Sequence, residues 1–288
     1  MSQIKKALEK AKKERKIFLG EDQEHAKGIE GPPNDRITSS KTRTAEDAVR
    51  DVLEVPPPTY SHTRCVQVDP EKLIDRKVFS ILEKDEVGDQ YKHLRTMILN
   101  RTRPKGHNTI EITSFKDGEG KSLTCVNLAI TLAKDSRQNV LLVDMDLRRP
   151  SIHSILGIDP KPGLKDYFLN GIALKDILIH PGIECLTVLP AGGHMDNSTE
   201  IIGSHGMENL IRELKSRYQD RYIIFDAPAL NTCSDPLVLS SYVDAMVLVA
   251  RANFTTTEDI TSVMALLKDK NILGVVLNDS DTHRGWTY

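Results

Sequence analysis

The sequence predicts an α/β protein with a doubly wound, mainly parallel sheet. Apolar or β-branched runs of strand length recur along the chain and alternate with segments of helical periodicity. The runs at 139–143 and 245–249 are almost free of polar residues, as expected for strands that helices cover on both faces, and the run at 109–113 is rich in β-branched residues. Several runs end in glycine or in carboxylate residues, which places functional groups at the carboxyl edge of the sheet.

The first of these runs leads into a phosphate-binding loop. The strand at 109–113 meets a glycine-rich turn, which passes into an apolar helix. Strand, loop and helix in this order suit a nucleotide phosphate, because the loop N–H groups and the helix N-terminus both attract anions. The first glycine of the GxxxxGK[ST] pattern is replaced by Phe115, and the alternative is a tight turn with an accidental Gly-Lys-Ser. The predicted nucleotide-binding residues are Lys116, Asp117, Gly118, Glu119, Gly120, Lys121, Ser122 and Leu123.

The remaining elements follow in order. Before the loop, helical spacing predicts a helix at about 88–101. After it we expect a strand at 139–143, one or two short helices within 163–178, and a short strand at 185–189. The rest of the prediction is a helix at 207–218, a strand at 222–225, a short helix at 237–242, a strand at 245–249, a helix at 257–268 and a strand at 274–277.

The N-terminal part has a different composition. Residues 1–17 have a helical pattern rich in lysine, which suits either an anionic surface or acidic partner, or a solvated terminal helix. Residues 18–68 are polar and carry two proline clusters, so we expect a flexible linker that ends in an extended stretch. The predicted domain then occupies residues 69–282, and residues 283–288 form a C-terminal tail.

Overall composition excludes several classes of function. The formal net charge is −2 and aromatic residues make up 5% of the chain, so we expect no nucleic-acid partner. The cysteines Cys65, Cys125, Cys185 and Cys233 form no CxxC pair, which argues against a zinc site. No apolar run approaches the ~18 residues of a membrane span, and no apolar leader follows the first lysines. We therefore expect a cytoplasmic protein.

Acidic residues follow two of the predicted strands. Asp144 and Asp146 come after the strand at 139–143, and Asp226 follows the strand at 222–225. A single aspartate in such a position commonly caps a turn, but two acidic strand ends beside a phosphate loop are harder to obtain by chance. Because Mg²⁺ prefers oxygen ligands, the pattern predicts an Mg²⁺-dependent nucleotide site.

Three sequence motifs resemble those of the bacterial tyrosine kinases. FKDGEGKS, LLVDMDLRRPSIH and IIFDAP look like the Walker A, A′ and B motifs of the CpsD/CapB-like proteins, which regulate extracellular polysaccharide synthesis. VLPAG and GVVLN extend the resemblance, which covers about residues 87–278. ALEKAKKER and YSHTR are similar to the subgroup encoded with exosortase (PEP-CTERM) loci. The implied fold is a P-loop NTPase of the ParA/MinD-like type.

The resemblance implies roles for individual residues. Lys121 would neutralise ATP phosphates, and Ser122, Asp144 and Asp226 would hold Mg²⁺. Asp144 and Asp146 would act as catalytic residues on the attacking hydroxyl. The other implied positions are Asn278 at the adenine, Tyr288 as the phosphate acceptor, and Asp89, Lys92 and Arg95 in self-association. The implied partner is a membrane-anchored polysaccharide copolymerase that recruits the chain to the inner face of the plasma membrane.

Two departures from the family leave alternatives open. Tyr288 is the only tyrosine in the tail, where the family has a cluster. Lys116 falls where the ParA/MinD ATPases carry a signature lysine that reaches a partner's nucleotide, although a solvated loop lysine fits equally. The leading hypothesis is a tyrosine autokinase. The alternatives are a ParA/MinD-like ATPase switch and a nucleotide-binding regulator without kinase activity.

Overall fold

A computed structural model describes residues 63–136, 138–217 and 221–280. These residues belong to one compact unit built on an eight-stranded sheet. The strands are β1 (Arg64–Cys65), β2 (Thr109–Ser114), β3 (Asn139–Asp144), β4 (Ile179–His180), β5 (Leu186–Leu189), β6 (Arg221–Asp226), β7 (Ala245–Arg251) and β8 (Ile272–Asn278).

Ten α-helices are found among the described residues, and most of them connect successive strands. They are α1 (Pro70–Asp75), α2 (Glu86–Thr102), α3 (Lys121–Ser136), α4 (Ile152–Leu156), α5 (Leu164–Asn170), α6 (Leu174–Ile177), α7 (Ser198–Ile202), α8 (His205–Arg217), α9 (Asp235–Leu239) and α10 (Thr257–Leu266). Short 3-10 turns occupy Phe79–Ile81 and Arg103–Lys105.

The strand order is β1-β4-β5-β3-β6-β2-β7-β8. Every described pair is parallel except β4 with β5. Strands β2 and β6 are buried along their whole length because helices cover both faces. The predicted doubly wound, mainly parallel α/β fold is confirmed.

The core has a large cluster on each face of the sheet. On one face, Ile110 and Ile112 of β2 pack with Val126 and Leu128 of α3, and with Ile98 of α2. On the other face, β3 and β6 pack against α8, and a smaller cluster lies between β7 and α10. This packing holds the first turn of α3 beside the carboxyl ends of β3 and β6.

Local side-chain chemistry sets where several helices begin. The Asp85 carboxylate accepts a hydrogen bond from Gly88 N at 2.9 Å, so α2 starts two residues before its predicted start. Pro236 lies in the first turn of α9, and the helix therefore covers Asp235–Leu239 instead of the predicted 237–242. The short helices α4 and α7 were not predicted.

Part of the predicted linker is in the sheet. Arg64–Cys65 pairs with β4, so the extended stretch expected before residue 69 includes an edge strand. Three predicted segments lie outside the described residues, namely the N-terminal basic helix at 1–17, most of the linker at 18–68, and the C-terminal tail at 283–288. None of the described helices is long and apolar enough to cross a membrane.

Candidate active site

The site is built around the loop that joins β2 to α3. Gly118 and Gly120 both have positive φ values, +83° and +90°, which a residue with a side chain rarely adopts. This conformation turns the loop ahead of the N-terminus of α3, where free backbone N–H groups favour an anion. The predicted phosphate loop therefore has a suitable backbone shape.

Lys121, the first residue of α3, extends toward two carboxylates. Its Nζ lies 2.7 Å from Asp146 Oδ2 and 3.9 Å from Asp226 Oδ1, and 3.3 Å from Ser122 Oγ. Burial alone would lower the pKa of Lys121, but the charges of Asp226 and Asp146 raise it above its ordinary value. Lys121 is therefore a fixed positive charge at the end of the phosphate loop.

Asp144 and Asp226 are neighbours in the sheet register, and both are completely buried. Burial raises the pKa of each, and the Asp226 charge raises that of Asp144 further. Asp144 Oδ2 accepts hydrogen bonds from Ser151 N and Ile152 N, both at 3.1 Å. Asp144 Oδ1 and Asp226 Oδ2 are buried without a hydrogen-bond partner among the described residues.

These unpartnered oxygens fit a bound cation or its water shell. Ser122 Oγ and the Asp226 carboxylate lie at the same end of the loop as Lys121, and both are ligand types that Mg²⁺ takes. The described residues contain no group of three or more His, Cys, Asp or Glu side chains arranged as a metal cage. Mg²⁺ does not need one, because it usually completes its shell with water and substrate phosphates.

Charged side chains of the loop bind residues around it. Asp117 Oδ2 accepts from Arg149 Nη1 at 2.8 Å, and Arg149 N donates to Asp146 Oδ1 at 2.9 Å. Lys116 Nζ lies 2.5 Å from Asp259 Oδ2. Glu119 is buried, and its carboxylate accepts hydrogen bonds from Lys116 N and from Thr255 Oγ1.

Asn278, Leu123 and Arg148 lie outside the turn of the phosphate loop. Asn278 Nδ2 donates to Glu119 O at 2.9 Å, which puts the end of β8 beside the loop. Leu123 is half-buried against the core. Arg148, which the sequence places beside the site, binds the buried Asp235 at 3.3 Å and Thr199 Oγ1 at 3.0 Å.

Comparison with known proteins agrees with this geometry. The family model for the CobQ/CobB/MinD/ParA nucleotide-binding domain matches residues 110–285. The tyrosine-protein kinase YwqD of Bacillus subtilis is 30% identical over 209 residues, which cover 71% of this chain and 86% of YwqD. The chain belongs to the bacterial tyrosine kinase family.

Two solved structures are also similar to the kinase. The chimerical protein CapA2B2 has a TM-score of 0.67 and 28% identity, covering 83% of this chain and 100% of its own. MinD of Pyrococcus furiosus, a cell division ATPase, has a TM-score of 0.51 and 28% identity, covering 61% and 74%. The kinase thus has the nucleotide-binding fold that MinD also has, and is similar to CapA2B2 over more of its length.

The residues proposed for self-association lie on α2 of the kinase. Lys92 Nζ binds Asp89 Oδ1 at 2.9 Å and Glu83 O at 3.0 Å, and Arg95 is half-buried. Tyr288 lies outside the described residues.

Several residues at the kinase site were missed by the sequence reasoning. Thr255, in the connection before α10, and Asp259, in the first turn of α10, contact the phosphate loop, and Asp235 holds Arg148. The spacing of Thr256 and Asp259 is that of a capping box, which predicts the helix start. No sequence signal indicates the contact with the loop, because more than a hundred residues separate the partners.

Proposed function

We propose that this chain is an ATP-dependent tyrosine autokinase that requires Mg²⁺. The observation that supports it best is the position of Lys121, an ammonium at the end of the phosphate loop that is neutralised by Asp146 and Asp226. Phosphates of ATP would compete for this charge and leave the two carboxylates available for the metal and the acceptor. Phosphoryl transfer depends mainly on such charge neutralisation and on positioning.

The proposed reaction uses the strand-end residues in different ways. Lys121 would bind the outer phosphates, and Ser122 and Asp226 would hold Mg²⁺, which would neutralise phosphate charge. The tyrosine oxygen forms a bond to the γ-phosphorus as the bond to the bridging oxygen of ADP breaks. A carboxylate of the pair Asp144 and Asp146 accepts the hydroxyl proton.

The proposal also covers the tyrosine that accepts the phosphoryl group and the biological role of the kinase. Tyr288 is the proposed acceptor, and Asn278 the proposed adenine contact. By resemblance, the activity regulates exopolysaccharide synthesis, and a membrane-anchored copolymerase recruits and activates the chain at the inner membrane face. Asp89, Lys92 and Arg95 form the proposed self-association surface on α2, and residues 69–282 form the proposed catalytic domain.

The test is an assay of the purified chain with ATP and Mg²⁺. Phosphotyrosine is mapped by mass spectrometry and phosphate release is measured in parallel. We expect phosphotyrosine that falls at least about a hundredfold in Lys121→Met, because a charge aligned with the transferred group is lost. Lys268→Met is the matched control, since Lys268 is an exposed lysine after α10. Its activity should equal that of the wild type.

Three results would redirect the proposal. Phosphate release without phosphotyrosine would support the ATPase switch, and nucleotide binding without either product would support the regulator. Phosphotyrosine that is unchanged in Tyr288→Phe would place the acceptor at another tyrosine. Adding the cytoplasmic segment of a candidate membrane partner tests whether activation needs that partner.

A further inference from the structure

Lys116 is held by residues of its own chain. Its Nζ contacts Asp259 Oδ2 at 2.5 Å, donates to Phe254 O at 3.2 Å, and lies 4.9 Å from the centre of the Phe254 ring. The Lys116 side chain is 24% exposed and that of Asp259 is 27% exposed. An ammonium with a carboxylate, a carbonyl and an aromatic face around it has most of its interactions satisfied.

The backbone of Lys116 is fixed as well. Its N–H donates to Glu119 Oε2 at 2.8 Å, and its carbonyl accepts from Ser114 Oγ at 2.8 Å. The second oxygen of the buried Glu119 carboxylate accepts from Thr255 Oγ1. The phosphate loop is therefore joined to the connection between β7 and α10 twice, once through Lys116 and once through Glu119.

We propose that Lys116 is a positioning residue that acts in cis: with Asp259, it fixes the phosphate loop against the start of α10 and does not reach the nucleotide of a second subunit. The inference rests on the proposed nucleotide site. It removes the main reason for treating this chain as a switch in which two subunits exchange lysines.

The surroundings of Asp259 support the cis assignment. Asp259 Oδ2 also accepts from Thr256 N at 2.8 Å and Thr256 Oγ1 at 2.9 Å, so the carboxylate caps α10 and binds Lys116 simultaneously. The hydrogen bond from Lys116 is the main cause that lowers the pKa of Asp259 to about 2. Moving Lys116 into another subunit would break this pair and both contacts with Phe254.

The first experiment measures Mg-ADP affinity by calorimetry, which does not depend on phosphoryl transfer. Lys116→Ala and Asp259→Asn should each weaken binding, by roughly three- to tenfold, and the double variant should bind no more weakly than the poorer single variant. Lys268→Ala is the control and should bind like the wild type. Additive losses, an unaffected Asp259→Asn, or an unaffected Lys116→Ala would overturn the proposal. A wild type that binds no Mg-ADP would instead contradict the proposed function.

The second experiment tests the trans alternative directly with mixed proteins at subsaturating Mg-ATP. Lys116→Ala is mixed with Lys121→Met, which offers an intact Lys116, or with the Lys116→Ala/Lys121→Met double variant, which does not. Both additions supply the same acceptor tyrosines, so action in cis predicts equal phosphotyrosine rates. A higher rate with Lys121→Met would overturn the proposal.

A folding control accompanies both experiments. If Lys116→Ala does not give the wild-type circular dichroism spectrum, the exchanged pair Lys116→Asp/Asp259→Lys replaces it. The exchange keeps both charges within one chain and should recover more Mg-ADP affinity than Lys116→Asp alone. Asp259→Lys alone shows what the loss of the α10 cap costs. If it binds Mg-ADP as well as Asp259→Asn does and the folded exchange variant still recovers no affinity, the cis pair is contradicted.

Discussion

Glu111 is an unusual side chain for the centre of a parallel sheet. It lies on β2 with Phe225 and Met246 as its register neighbours, and it is completely buried. Neither carboxyl oxygen has a hydrogen-bond partner among the described residues. Burial raises the pKa of Glu111 well above its ordinary value, so the folded chain keeps this group protonated.

A stability measurement should detect this buried acid. Above the ordinary pKa, the unfolded chain loses the Glu111 proton while the folded chain retains it, so the free energy of unfolding falls as pH rises. The loss is about 1.4 kcal/mol per pH unit until the folded-state pKa is reached. Urea unfolding of the wild type and Glu111→Gln should therefore diverge in favour of the variant as pH rises above about 5. Parallel pH profiles would show that Glu111 ionises in the folded state.

The positive charge of Lys121 leads to a second prediction, on how the stability of the protein depends on pH. Removing the ammonium leaves Asp144, Asp146 and Asp226 without the cation that balances them. In Lys121→Met, we expect unliganded protein to be more stable near pH 5 than near pH 7, by a larger margin than in the wild type. The Lys121 charge opposes the rise in the pKa of Asp144 and Asp226, so without it these two carboxylates gain protons more readily. Thermal unfolding at the two pH values checks this, and an unchanged difference would contradict it.

At the scale of elements, the phosphate loop depends on its two glycines for different reasons. A Cβ on Gly118 would meet no atom within 4 Å, whereas a Cβ on Gly120 would lie 2.1 Å from Asn278 Nδ2. Both positions have positive φ, so both substitutions strain the backbone. Only the second also displaces the Asn278 amide from the Glu119 carbonyl.

Alanine substitutions should separate these effects. Gly118→Ala should lower the free energy of unfolding by about 1–2 kcal/mol, the cost of the left-handed conformation. Gly120→Ala should lose about 1 kcal/mol more, because a hydrogen bond is also broken. Adding Asn278→Ala to Gly120→Ala should lower the free energy of unfolding little further. Denaturant unfolding of the two single variants and the double variant measures these differences. Equal losses for the two glycine variants would show that Asn278 adapts freely.

Sequence reasoning succeeded best for the longer elements. The central strands and the helices α2, α3, α8 and α10 have hydrophobic patterns that their burial requires, and their positions were predicted to within a few residues. The loop and its lysine were predictable because GKS, a strand and a helix occur together. Helix α4 was not, since it has only five residues and Asp144 anchors it from another element. The contacts of Lys116 with Asp259, and of Arg148 with Asp235, could not be predicted either. The partners of each contact are far apart in the sequence, and only the fold brings them together.

At the scale of the whole molecule, the site exists because the sheet gathers distant segments. The ends of β2, β3, β6 and β8 supply the phosphate loop, the aspartates and Asn278. A nucleotide that bridges these ends binds only the folded chain. Binding should therefore stabilise the whole domain and not the loop alone.

Thermal unfolding with ligands tests this linkage. Mg-ADP at a hundred times its dissociation constant should add about 2.7 kcal/mol to the free energy of unfolding. ADP with a chelator should add less, because Mg²⁺ would no longer balance Asp226. In Asp226→Asn, the stabilisation by ADP should become nearly independent of Mg²⁺. A full Mg²⁺ response in this variant would exclude Asp226 from the metal site.

The order of the strands also separates the two ends of the catalytic fold. Strand β1 and strand β8 occupy opposite edges of the sheet, seven strand spacings apart. At about 4.8 Å per spacing, the chain enters and leaves the sheet about 34 Å apart. A partner that binds at the β1 edge of the sheet is thus seven strand spacings from one that binds at the β8 edge. A fluorescent label on the exposed Cys65 and a second label beyond Ser280 would allow the distance between them to be measured by energy transfer.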